Sequence, residues 1–207
     1  MKDRIQCFWL EPAGKLRRFF RRFTWSGQSK CSSQFGSHNA SVFLDEMEDL
    51  TPYETISCDI DVEPFKDDSR WPTHCVCGYA FQPDDQYQIS VDRIYRRTDT
   101  GEEMTFQTAP AGAMWDAWWY PDAWKGSDGI ALVVKMPQGG EWVVDSRCSN
   151  CTLPNDNVHK CWIRHGNPRK PETLLVDKNG VTCKAGGGSI QMTNWHGFLR
   201  FGFLEEC

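Results

Sequence analysis

Ile130-Ala131-Leu132-Val133-Val134-Lys135-Met136-Pro137-Gln138-Gly139-Gly140-Glu141-Trp142-Val143-Val144-Asp145 places two apolar runs around a Pro-Gln-Gly-Gly link. Such a pattern predicts a β-hairpin, with strands over residues 130–136 and 141–145. Leu132, Val133 and Val134 are consecutive, so the first strand is expected to be covered on both faces. Side chains alternate across a strand, which puts Trp142 and Val144 on one face and Val143 on the other.

Further hairpins are expected on either side of this one. Residues 87–97 and 104–108 flank the turn-forming Asp99-Thr100-Gly101, and residues 173–177 and 181–184 flank Asp177-Lys178-Asn179-Gly180. Near the start, residues 5–10 and 16–23 are separated by Glu11-Pro12-Ala13-Gly14 and read as a hairpin with a basic second strand. A helix over 15–24 fits the arginine doublets as well. Residues 40–44 form a short strand. Residues 24–40 and 45–70 are expected as loop-rich surface segments, residues 109–126 as an irregular Trp-rich stretch, and Gly186-Gly187-Gly188 as a loop before a last aromatic segment at 195–204. No repeat, heptad or long amphipathic helix is visible. The expected fold is mainly β (β-rich α+β), a single domain over 1–207 with antiparallel hairpins and long irregular loops.

The chain has 207 residues, 40% hydrophobic and 25% charged, enough to bury a core and unlike a disordered chain. No run of 18 apolar residues is present to span a membrane. The first ten residues lack the apolar stretch of a secretory signal, so the ten cysteines are expected as thiols and metal ligands rather than disulfides.

Cys75-Val76-Cys77-Gly78 and Cys148-Ser149-Asn150-Cys151 are two short-spaced pairs of the kind that meet at a tetrahedral zinc ion. Glycine directly after Cys77 suits a tight knuckle with a positive φ and backbone N–H groups turned to sulfur. The second pair follows the 130–145 hairpin. Together they suggest a structural zinc site, a ribbon over 70–165 with a long insertion. Cys161, ten residues after Cys151, is a further candidate ligand, and Cys58 and His74 lie near the first pair. Buried inert thiols are the alternative fate of such cysteines.

Charge is segregated. Arg17, Arg18, Arg21 and Arg22 lie in a basic N-terminal stretch, and ten acidic residues against Lys66 fill 45–68. This asymmetry fits a nucleic-acid arm or two segments that lie against each other; the net charge of −5 favours the second, or a protein partner. Ten Trp are expected either at a contact surface or as filler of an irregular core. Catalytic patterns are sparse: there is no HExxH, and no Lys completes a P-loop after the glycine run. A thiol enzyme would have to use Cys161 with His165 or His196.

Several strings taken together are distinctive: Phe8-Trp9-Leu10-Glu11-Pro12, Arg70-Trp71-Pro72-Thr73-His74-Cys75-Val76-Cys77-Gly78-Tyr79, Ala109-Pro110-Ala111-Gly112-Ala113-Met114-Trp115, Cys161-Trp162-Ile163-Arg164-His165-Gly166, Val176-Asp177-Lys178-Asn179-Gly180-Val181-Thr182-Cys183 and Trp195-His196-Gly197-Phe198-Leu199-Arg200. They resemble a group of tailed-bacteriophage proteins with a Cys-rich, zinc-ribbon-like site. The resemblance implies a viral protein in the bacterial host cytoplasm, or in the virion, and not a secreted one. It implies no particular activity. In that group the position of Cys148 often carries another residue, which implies Cys161 as the fourth ligand beside Cys75, Cys77 and Cys151. The expected function is that of a non-catalytic phage protein with structural zinc and an aromatic surface for a protein partner, as a virion component or a host-directed factor. A nucleic-acid-binding zinc module and a Cys/His-dependent enzyme are the alternatives.

Overall fold

A computed structural model describes residues 4–24, 31, 37–56, 61, 63–148, 151–153, 155–156, 159–177, 189–192 and 195–207. The expected strand 181–184, the glycine run 186–188, Cys58 and Cys183 lie outside them. The described chain is mainly β, with three short 3-10 helices at Glu63–Phe65, Asp122–Trp124 and Pro171–Thr173. Among the described residues no helix is long and apolar enough to cross a membrane. The chain divides into two compact units, Met1–Glu11 with Tyr95–Cys207, and Pro12–Ile94.

The first unit holds an antiparallel sheet of β1 (Arg4–Gln6), β9 (Ile163–His165), β10 (Leu175–Asp177), β11 (Ile190–Met192), β12 (Trp195–Arg200) and β13 (Phe203–Glu206), in the order β1-β13-β12-β10-β9 with β11 also on β12. Its other ladder starts where β2 (Phe8–Phe23) runs parallel to β6 (Ala113–Asp116), Phe8 facing Ala113 and Trp9 facing Met114. β6 pairs with β7 (Leu132–Lys135), and β7 pairs with β8 (Glu141–Val143).

The β7–β8 hairpin is the one expected. Val133 faces Val143, Val134 faces Trp142, and the Met136 N–H donates to the Gly140 carbonyl at 3.1 Å across the link. Period 2 sorts its side chains between two apolar clusters. Leu132, Val134, Met136 and Val144 enter a cluster with Trp9, Cys161, Trp162, Leu174 and Leu199, against which Trp142 packs. Ala131 and Val133 enter another with Phe8, Leu10, Tyr95 and Trp115, against which Val143 packs. β7 is therefore covered on both faces, each fully buried Val contributing about 1.5–3 kcal/mol of apolar burial.

Tryptophans serve as both core and surface. Trp9, Trp115, Trp162 and Trp195 are buried, whereas Trp119 and Trp124 are exposed. Tyr95, Phe106 and Trp115 stack with centroids 3.9 and 4.4 Å apart. Lys135 Nζ donates to the Phe106 carbonyl at 3.3 Å, so Lys135 ties β7 to the stack's central ring.

The second unit is built on the long part of β2, on β3 (Asn39–Glu48) and on β4 (Gln86–Arg97), which continues into the first unit and pairs across the expected turn with β5 (Glu103–Met104), a strand that ends where the expected one at 104–108 begins. The expected N-terminal hairpin is not formed. Glu11-Pro12-Ala13-Gly14 lies inside one continuous strand, and the antiparallel partner of residues 15–23 is β3. Pro12 falls between the stretch that pairs with β6 and the stretch that pairs with β3, so its missing N–H donor breaks neither ladder.

β3 also runs further than expected, into the acidic segment. Lys15 faces Glu48, Arg17 faces Glu46 and Arg18 faces Asp45, so the two charge blocks neutralise each other across the ladder. Phe20 and Ile89 form this unit's small core, with Leu44, Phe65, Trp71, Tyr87 and Val91 around them. Arg93 binds the Asp49 carboxylate and also donates to the carbonyls of Thr51 and Glu54 at 3.0 and 3.1 Å, which anchors the chain beyond β3 on β4.

Candidate metal centres

Among the described residues, each compact unit brings cysteines together with a histidine into a Cys/His group that could hold a metal ion: Cys31, His38, Cys75 and Cys77 in one, and Cys151, His159 and Cys161 in the other. Within each group the donor atoms lie within 4.8 Å of one another. Thiolates bound at about 2.3 Å to one tetrahedral ion stand somewhat closer together than that, so small side-chain adjustments would suffice.

The first group sits on a tight hairpin. The Phe81 N–H donates to the Thr73 carbonyl at 3.0 Å, the Cys75 N–H to the Tyr79 carbonyl at 2.8 Å, and the Gly78 N–H to the Cys75 carbonyl at 2.9 Å. Gly78 has φ +89°, the positive value expected of the residue after Cys77. The turn leaves Val76 exposed at its tip and brings Cys75 and Cys77 to one side. The Tyr79 backbone N–H bonds the Cys77 sulfur. It pulls the Cys77 thiol down, but desolvation and the neighbouring Cys31 and Cys75 thiols push it above its ordinary value. Clustered thiols ionise together only when a cation compensates them.

Cys31 and His38 complete this group from the segment before β3. The sulfurs of Cys31 and Cys75 are 3.5 Å apart, and His38 Nδ1 is 3.2 Å from Cys77 Sγ. His38 also stacks on Tyr79 at 4.0 Å with a 5° interplanar angle, which fixes its ring plane. Neither residue was among the expected ligands. Cys31 lies 44 positions before Cys75 in a polar stretch without periodicity, and only the closing of β3 onto β2 brings it near. His74, adjacent to Cys75, is instead within reach of its neighbour Thr73, Nδ1 to Oγ1 at 3.0 Å.

The second group follows the β7–β8 hairpin. The Cys151 N–H donates to the Cys148 carbonyl at 3.1 Å, and the Leu153 N–H points at Cys151 Sγ at 3.4 Å. Buried His159 places Nε2 3.2 Å from Cys151 Sγ and 3.8 Å from Cys161 Sγ. Its Nδ1 is 2.7 Å from the Asp156 carbonyl. A carbonyl accepts only, so Nδ1 is the donor in this contact and Nε2 is the nitrogen turned to the two sulfurs, the arrangement that orients a ligating imidazole. Cys161 is thus among the donors, and Cys148 is not within the donor cluster. His159 was visible beside Cys161 in the sequence, but its one-residue offset lacks the usual ligand spacing.

Two other expectations meet a definite geometry. His165 Nε2 lies 3.5 Å from Asp177 and His196 Nε2 lies 2.6 Å from Ser189 Oγ, while the imidazole beside Cys161 is that of His159. Among the arginines, Arg17 and Arg18 bind Glu46 and Asp45 at 2.8 and 2.5 Å. Arg22 is buried, donates to the carbonyls of Pro72 and Gln82 at 3.3 and 2.7 Å, and covers the Phe81 ring. Arg21 lies over Phe23 at 5.3 Å. Arg22 is thus a brace beneath the Thr73–Phe81 turn rather than a phosphate contact.

Comparison of the chain with protein-family models, with curated proteins and with solved structures gives no match.

Proposed function

We propose that this is a non-catalytic phage protein in which Cys31, His38, Cys75 and Cys77 hold a structural zinc ion, and whose exposed aromatic side chains contact another protein. The observation that carries the metal reading is the complete donor set: three thiols and one imidazole within 4.8 Å. Soft thiolate with imidazole in a four-donor set favours zinc, and four protein donors leave no position for a substrate. The contact reading is supported by Trp119, Trp124, Phe43, Tyr53 and Phe201, all exposed. Aromatic side chains of this kind are favoured at binding hot spots. A virion component and a host-directed factor both fit; mass spectrometry of purified virions separates them, stoichiometric presence selecting the first.

Protein purified without chelator is expected to carry zinc. Cys77→Ser and His38→Ala should each remove about one equivalent and loosen the Thr73–Phe81 turn, because forming such a site is coupled to folding. Metal analysis and hydrogen exchange read both effects. Wild-type protein that is folded and free of zinc would sink the proposal.

The alternative of a nucleic-acid-binding zinc module meets the pairing of Arg17 and Arg18 with carboxylates and the burial of Arg22. Phosphate binding would first have to break those contacts. No gel shift is expected at micromolar protein and physiological salt. A salt-dependent shift that weakens in Arg17→Ala/Arg21→Ala would restore that alternative.

A further inference from the structure

We propose that the protein carries a second, independent zinc ion, held by Cys151, His159 and Cys161 and closed by Cys148 as the fourth ligand. The inference does not rest on the first site, since its donors lie in the other compact unit.

Three observations on one short stretch point to a metal. His159 is buried, its Nδ1 lies 2.7 Å from the Asp156 carbonyl, and its Nε2 faces two sulfurs. An imidazole oriented through its other nitrogen in this way is how metal-binding histidines are held. The Leu153 N–H aimed at Cys151 Sγ at 3.4 Å is a donor that a thiolate accepts more strongly than a thiol does. The turn closed by the Cys151 N–H on the Cys148 carbonyl at 3.1 Å has the form that lets both cysteines of a Cys-x-x-Cys pair face one ion.

Cys148 is the natural fourth donor. Its side chain packs, half-buried, against the same apolar cluster as Cys151, and Cys161 belongs to that cluster. In the proposed site the Cys148 side chain turns towards the other two sulfurs and supplies the third thiolate. Three thiolates and one imidazole make a closed tetrahedral site, which is structural. The ion would tie the segment leaving β8 to the segment entering β9, two parts of the chain that share little regular structure. Each compact unit would then have its own metal staple.

The test uses the full-length chain. Wild-type protein should contain about two equivalents of zinc, with Cys77→Ser and His159→Ala each losing about one and the double variant about two. One equivalent in the wild type, unaffected by His159→Ala, would overturn the second site and leave the first intact. One equivalent abolished by either substitution would mean a single shared site and would overturn the proposal too. The role of Cys148 is read without mutation by mass-mapped alkylation of native protein. Cys148, Cys151 and Cys161 should be protected together and react together once a chelator is added, with exposed Cys207 reacting throughout. Cobalt loaded into Cys77→Ser should show a thiolate charge-transfer band that drops by about one third when Cys148→Ser is added, three thiolates becoming two. Alkylation of Cys148 in the zinc-loaded protein, or an unchanged band, would remove Cys148 from the ligand set.

Discussion

Val134→Asp is expected to destabilise the protein by about 6 kcal/mol at neutral pH and to strip metal from the Cys151–His159–Cys161 group. Val134 is fully buried on β7 and touches the cluster that contains Cys161 and supports Cys148 and Cys151. Losing its apolar burial costs about 2 kcal/mol. An unpaired carboxylate placed there stays protonated, and holding an Asp neutral at pH 7 against its ordinary value near 3.9 costs about 4 kcal/mol more. The sign of the pH dependence follows. The folded-state value is raised, so the second cost is absent below about pH 4. It grows by about 1.4 kcal/mol per pH unit above that, until the folded-state value is reached. Denaturant titrations of mutant and wild type at pH 5 and pH 7 should therefore diverge with rising pH. A suitable control is Glu141→Gln on the neighbouring strand, whose exposed carboxylate pairs with Lys135 at 3.3 Å and should matter by less than about 0.5 kcal/mol. Lys135 itself is a poorer control, because it also holds the Phe106 carbonyl. If Val134→Asp folds with wild-type stability and metal content, β7 is not the core strand described here.

The β7–β8 hairpin was legible because two signals agree there: an uninterrupted Leu132-Val133-Val134 run, and a link ending in two glycines that fixes the register. At Pro12 the same kind of reasoning failed. Pro-Ala-Gly is a turn signal locally, but here it marks the place where β2 exchanges one partner strand for another, which depends on residues about 30 and 100 positions away. Acidic residues read as loop because charge usually means solvent; the first of them, Asp45, Glu46 and Glu48, are in strand because the facing strand is basic. The candidate metal groups were half legible. Short-spaced cysteines announce ligands, and the Gly78 knuckle followed from one residue. Which cysteine meets which is decided by the division into two cores, and Cys31, His38 and His159 lie on segments with no periodicity that could have placed them.

Arg164→Met tests the other device that holds the first unit together. Arg164, on β9, is almost fully buried and binds two carboxylates at once: Asp128 through both terminal nitrogens at 2.9 and 2.8 Å, and Asp145 at 3.1 Å, with a further bond to the Ile130 carbonyl at 3.3 Å. Asp145 is as buried as its partner, and burial raises its carboxyl above the ordinary range while Arg164 pulls it down. Methionine fills much of the arginine's volume but takes away the guanidinium, while the Leu132 N–H at 3.4 Å stays with Asp145. Breaking a buried pair on one side costs about 3–5 kcal/mol. Arg164→Lys should not rescue it, because one ammonium cannot span both carboxylates as the planar fork does. Asp145→Asn should rescue part of the loss, since the amide oxygen keeps the Leu132 bond without a charge. In a double-mutant cycle the pair should then be less destabilised than the sum of the singles by about 1 kcal/mol or more. The consequence reaches the metal. Asp145 lies three residues before Cys148 and Arg164 three residues after Cys161, so the ion pair clamps the two chain segments that deliver the second set of ligands. Arg164→Met should raise the chelator sensitivity of the zinc proposed there, and Asp145→Asn should partly reverse that. Additive stabilities with unchanged metal retention would show that the clamp and the metal group are independent.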